Sequence, residues 1–219
     1  MCHRRIRFAC LVPSLIAAGC TEPDIADLTI ETQASPFYWY QDTTRIYLRI
    51  DSTSLTVEAD SGLLPALRAS SAAVGVAVDS ITAVAVAAGH WTLWLRPGTR
   101  SAAAAVAARA VRLHAGVPFA SNAYLYGTPP AECTLWLVNR LAVIYKGSTT
   151  AEQIATLEER AGFEVEESPP GVGRPWRLLR YPTGSSYTPL EIAAAVYRHP
   201  FVDWASADMV GCVAPTLHR

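Results

Sequence analysis

Several things that would narrow a function at once are missing from these 219 residues. No apolar run is long enough to span a bilayer as a helix; the leading stretch "FACLVPSLIAAG" is too short. The valine-rich stretch at 72–89 is broken by Asp79, Ser80 and Thr82 and its valines alternate, so it reads as core β-structure, either one strand or a hairpin. No basic stripe exists, and 18 basic against 19 acidic groups nearly cancel. Nucleic acid is therefore not an expected partner, because neutralising phosphates needs clustered Lys and Arg.

Catalytic chemistry is missing in the same way. Acyl transfer needs a nucleophile on a constrained turn, an oriented base and an oxyanion hole. The five histidines, His3, His90, His114, His199 and His218, fall in the leading segment, at element ends or near the C-terminus, with no "HGT" or "GTS" setting. None has a second ligand at metal-site spacing. "GVG" at 171–173 leads into a strand and not a helix, so it reads as a turn and not as a phosphate cradle. The sequence predicts no catalytic residue, no metal, no cofactor and no enzymatic activity.

What is present begins at the N-terminus. Arg4, Arg5 and Arg7, then a short apolar run, small residues and Cys20 follow the order of a bacterial lipoprotein signal, with a plain secretory signal as the alternative. Residues 1–19 would be the signal, Cys20 the lipidated residue, and 20–35, acidic and turn-rich, a tether between membrane and folded body. Without the three leading arginines, 15 basic and 19 acidic groups remain, a net charge of −4. The expected location is the cell envelope.

The chain also echoes itself. "AVRLHAGVPFAS" from Ala110 returns as "AVYRHPFVDWAS" from Ala195, and the same 85-residue offset runs back to Trp91 and Trp176. Leu93 matches Leu178, Pro97 matches Pro182, Ser101 matches Ser186, and His114 matches His199. Alanine-rich segments match themselves easily, but paired Trp, Pro and His positions argue for a repeat.

Local signals give each copy its elements. "FYWYQDTTRIYLRIDSTSLTV" reads as two strands around a polar turn, "GLLPALRASS" and "SAAAAVAARAVRLH" as helices, and "HWTLWLRP" and "VPFASNAYLY" as strands. In the second copy, strand "LWLVNRLAVIYK" precedes a helix opened by a Thr149/Glu152 capping box and closed at Gly162. "FEVEE" and "WRLLRY" are strands, Thr188, Pro189 and Glu191 open the next helix, Pro200 stops it, and "VDWASADMV" ends the unit. Strand, helix, strand, strand, helix, strand is the ferredoxin-like order. The expectation is an α+β fold of two tandem ferredoxin-like units with antiparallel sheets, 36–130 and 131–212, then a tail at 213–219.

The second copy carries a family resemblance. "LAVIYKGSTTAEQIATLEERAGFEV" and "WRLLRYPTGSSYTPLEIAAAVYRHPFVDWASAD" resemble the pro-region of bacterial subtilisin-like serine peptidases: a strand ending in Lys, a Gly-Ser/Thr helix start, "G-F-E-V", "Y-P-x-G" and a closing "V-D-W-A". The resemblance implies a small non-catalytic domain that docks its sheet on such a peptidase and lays its trailing segment in the substrate cleft. Residues expected at that contact are Trp204, Ser206, Asp208 and the tail Val213, Ala214, Pro215, Thr216, Leu217, His218 and Arg219. Family members commonly carry an acidic residue after the last strand's "V-x-W/Y-A", where this sequence has Ser206. Two other readings stay open: a structural or adhesion-type surface protein reusing the fold, and a remnant N-terminal part of a subtilisin-like precursor.

Two residue classes remain. Trp91, Trp94, Trp136, Trp176 and Trp204 lie in strands, where core packing is the usual role and a partner surface the other one. Cys2 and Cys10 leave with the signal, so beyond Cys20 only Cys133 and Cys212 remain. In a ferredoxin-like sheet the first strand lies antiparallel to the fourth, which brings the start of one beside the end of the other and predicts a Cys133–Cys212 disulfide; two buried thiols are the alternative.

Overall fold

The computed structural model describes residues 28, 30, 37–41, 44–85, 87–96, 108, 110–111, 115–128, 131–168, 174–182, 185 and 187–211. The chain is α+β, with a mostly antiparallel sheet and helices packed on it. In order it runs through β1 (Phe37–Gln41), β2 (Thr44–Glu58), a 3-10 turn (Ser61–Leu63), α1 (Leu64–Ala73), β3 (Val78–Ala83), β4 (His90–Leu95) and β5 (Phe119–Tyr126). It continues with β6 (Cys133–Tyr145), α2 (Ala151–Arg160), β7 (Glu164–Glu167), β8 (Trp176–Arg180), α3 (Pro189–Tyr197) and β9 (Val202–Gly211). Ala108, Ala110 and Val111, within the alanine-rich stretch expected to be helical, are so, as is Ala115 just beyond it.

Pairing gives the order β3-β4-β2-β5-β6-β8-β7, with β1 on β2 and β9 on β6. The halves β3-β4-β2-β5 and β7-β8-β6-β9 thus follow the same pattern and join where residues 123–126 of β5 pair with 133–136 of β6. The 85-residue offset carries β4 onto β8, residues 119–126 onto 204–211, and buried Val111 onto buried Val196 in α3.

The long inner strands each change register midway. β2 shifts against β5 between Asp51 and Leu55, and β6 shifts against β9 between Leu137 and Leu141. In β2 the irregularity is held by a buried carboxylate. Asp51 Oδ1 accepts from Thr53 N at 2.8 Å and Thr53 Oγ1 at 2.6 Å, while Oδ2 accepts from Thr134 Oγ1 of β6 at 3.0 Å. A buried charge without such partners would be costly.

Capping chemistry sets where the second-half helices begin. Thr188 and Glu191 form the expected box at α3, with Pro189 in its first turn. At α2 the box is Thr150 with Gln153, one residue later than Thr149 and Glu152. Thr149 is engaged elsewhere, because its hydroxyl donates to Phe201 O at 3.1 Å, and Thr150 is left to cap. Gly162 follows α2 with φ +69°, a left-handed turn that glycine adopts without penalty. The stretch 72–89 contains the end of α1, one strand, β3, and the turn that folds it back on β4.

Two apolar clusters form beneath the helices. One gathers Leu55, Val57, Leu67, Leu93, Leu95 and Val111, all from the first half. The other gathers Leu137, Leu141, Val143, Ile154, Leu157, Leu179, Ile192 and Val196, and it also takes in Leu48, Phe119 and Tyr124 from β2 and β5. Leu28 and Ile30, from the segment read as a tether, pack against this second cluster.

Candidate interaction face

Successive residues of a strand point to opposite sides. In the second half, Leu141, Val143, Leu179, Ala205 and Ala207 point to the helices, so their neighbours form the other face. Register arranges that face in rows across β9, β6 and β8. Trp204, Ile144 and Trp176 make one row; Ser206, Ala142 and Leu178 make the next; Arg140 and Arg180 stand opposite each other in a third, with Glu164 of β7 beside Arg180. Asp208 completes that row through a 2.7 Å ion pair with Arg140.

The first half covers the charged end of this face. Trp136 Nε1 donates to Ser54 Oγ at 3.2 Å, and its ring meets Trp94 edge to face with centroids 6.0 Å apart. Asn139 Nδ2 donates to Glu58 Oε2 at 2.9 Å, and Asn139 N donates to His90 Nε2 at 3.1 Å. Arg180 pairs with Glu58 of β2 and, at 2.6 Å, with Glu166. Ser54, Thr56, Thr92 and Ser121 are buried behind these contacts. The tryptophan row is left half-exposed at the far end of β6.

Ser206, where the resemblance expects an acid, is buried, and its hydroxyl donates to Ala207 O at 3.1 Å. An ionised carboxylate there would lack solvent, and the acids of this strand stand elsewhere, at exposed Asp203 and at Asp208. Cys20, Cys212 and the tail from Val213 to Arg219 lie outside the described residues, as do His3, His114, His218 and the 171–173 turn. Cys133 is half-buried at the start of β6 with its Sγ 3.7 Å from Tyr126 O, and Cys2, Cys10, Cys20 and Cys212 are all outside the described residues.

His90 is a tie between the halves. Its Nε2 accepts from Asn139, so the Nδ1 proton points to Ala88 O, 3.2 Å away, and the ring packs edge-on to Phe119. Burial pushes its pKa below 6.5 against the opposing hydrogen bond to Ala88 and the charge of Glu58, and the nearby Arg140 and Arg180 add to the downward push. The unfolded chain therefore takes up the proton first. The stability from the neutral imidazole is complete above pH 6.5 and is lost as pH falls from there through the folded value. His90→Ala should cost about 2 kcal/mol by stranding the Asn139 amide, while His90→Gln, which can still accept, should lose less. Urea midpoints above and below pH 6.5 check this: the native chain should weaken on acidification more than His90→Gln, and equal slopes would remove the role.

A second buried acid lies on the helix side. Glu158 of α2 accepts from Tyr145 Oη at 3.0 Å and faces Arg177 Nε at 3.7 Å. Burial raises both the Glu158 and Tyr145 pKa values, as expected for groups locking a helix to its sheet.

The described residues hold no cluster of three or more metal-ligating side chains and no helix long and apolar enough to cross a membrane. Comparison with protein-family models, curated proteins and solved structures returned no match.

Proposed function

We propose that this chain is an exported, lipid-anchored, non-catalytic binding protein of two tandem ferredoxin-like units, the second of which engages a subtilisin-like serine peptidase. The repeated strand order β3-β4-β2-β5 and β7-β8-β6-β9, together with the 85-residue echo, supports the two units. The observation that carries the binding role is the half-exposed Trp176–Ile144–Trp204 row on the sheet face opposite the helices. Aromatic anchors in such a patch dominate interface energetics. Asp208, already paired with Arg140, sits at the covered end and adds less. An extended tail at 213–219 can add backbone pairing in the cleft with little demand on side chains.

A second reading, a structural surface protein with no peptidase partner, is favoured by the first half's occupation of the charged end of that face through Glu58, Ser54 and Trp94. Inhibition of a panel of subtilisin-like peptidases by the mature full-length chain separates the two. The expected result is micromolar inhibition, about 8 kcal/mol of binding free energy. Trp204→Ala should weaken it by about 2 kcal/mol, roughly thirtyfold. Absence of binding to every member at high concentration would leave the structural reading.

A further inference from the structure

The β1–β2 hairpin has two unlike sides. One is mounted in the core: Leu48 is fully buried in the cluster that also holds residues of α3 and β9. On the other, Arg45, Tyr47 and Arg49 are exposed, Tyr47 by 59%. Register sets Tyr38 opposite Tyr47, their rings edge to face at 6.4 Å, and the Arg45 guanidinium lies 4.7 Å from the Tyr38 ring centre. Arg49 pairs with Glu132. Tyrosine with arginine is what the boundary of an anionic bilayer favours: an amphipathic ring at headgroup depth and a cation among phosphates.

We infer that the Tyr38–Arg45–Tyr47 side of this hairpin rests on the anionic headgroup surface of the membrane. The inference depends on the lipid-anchor reading of Cys20, and chain length connects the two. Leu28 packs on the same cluster that mounts the hairpin, and the eight residues from Cys20 to Leu28 reach at most about 28 Å when extended. A lipid on Cys20 would therefore hold the bilayer within that reach of the cluster on which the hairpin is mounted.

The test separates the surface from the anchor. The mature chain with Cys20→Ser is sedimented with phosphatidylcholine vesicles, with and without phosphatidylglycerol. Binding should require the anionic lipid, weaken with salt, and fall about tenfold in Arg45→Glu/Tyr47→Ser, since one arginine near an anionic surface accounts for about fivefold by itself. No binding to anionic vesicles, equal binding by the hairpin variant, or capture on cell-wall glycan with none on vesicles would each overturn it. The anchor is read separately by intact mass of the membrane fraction of the unsubstituted chain. A lipid-modified Cys20 with an indifferent hairpin rejects only the surface; an unmodified Cys20 with vesicle binding by the hairpin rejects only the anchor.

Discussion

Leu48→Ala should destabilise the chain by about 3 kcal/mol, the cost of truncating a fully buried leucine whose surroundings cannot collapse into the space. The informative part is where the loss appears. Leu48 belongs to β2 of the first half, yet it is buried in the cluster containing Leu137, Leu141, Ile192 and Val196 of the second. Hydrogen exchange should therefore speed up in α3 and β9 as well as in β1 and β2, and denaturation should stay a single transition at a lower midpoint. Exchange changes confined to 36–130, with 131–212 protected as before, would sink the idea of a shared core. The same argument says that a fragment beginning at residue 131 gives up Leu48, Phe119 and Tyr124 from its core, so binding tests need the full mature chain.

Most of the fold was legible because its signals are local. The Thr188–Pro189–Glu191 start of α3 is written in three residues, and so is its box. The one-residue displacement at α2 arose because Thr149 and Thr150 are chemically equivalent in sequence, and only the contact with Phe201 decides which hydroxyl caps. The echo was readable from Trp91 onward but not before. β2 and β6 share an irregularity midway along the strand, yet Asp51 starts it in one and Leu137 in the other, so identity fades while geometry persists.

The candidate face was less legible. Trp176 and Trp204 stood out as strand tryptophans, but core and surface roles look alike until register puts them in one row with Ile144. The closure by the first half had no sequence signal at all. Glu58 and Arg180 are 122 residues apart, and each alone reads as a solvated charge. Asn139 and His90 likewise have no periodicity to join them and meet only across 49 residues of sequence. Ser206 stood out in sequence only as a departure from the resembled pattern, and its burial, which would leave an acid there unsatisfied, is visible only in the fold.

The disulfide is the remaining large effect, and we expect Cys133 to be joined to Cys212. Register sets Gly211, the last residue of β9, opposite Leu135, so the strand ends two residues from Cys133 on the partner. The backbones come close there: a Cβ on Gly211, whose φ is +113°, would lie 2.4 Å from Thr134 O. The described strand thus ends beside the start of β6, one residue short of Cys212, and an exported location would permit the bond. Closing a loop of about 80 residues stabilises by about 4 kcal/mol in the loop-entropy account, so Cys212→Ser should lower the thermal midpoint by about 10 °C. It should also release the tail from β6, weakening peptidase inhibition if the tail must be aimed from that point. Peptide mapping of the exported protein without reductant reads the pairing directly. Cys133 bonded to any other cysteine, or carrying a free thiol, would reject it, and an unchanged midpoint in Cys212→Ser would show that the bond, if formed, holds nothing that the Cys133 end of β6 and the Gly211 end of β9 do not already hold by pairing.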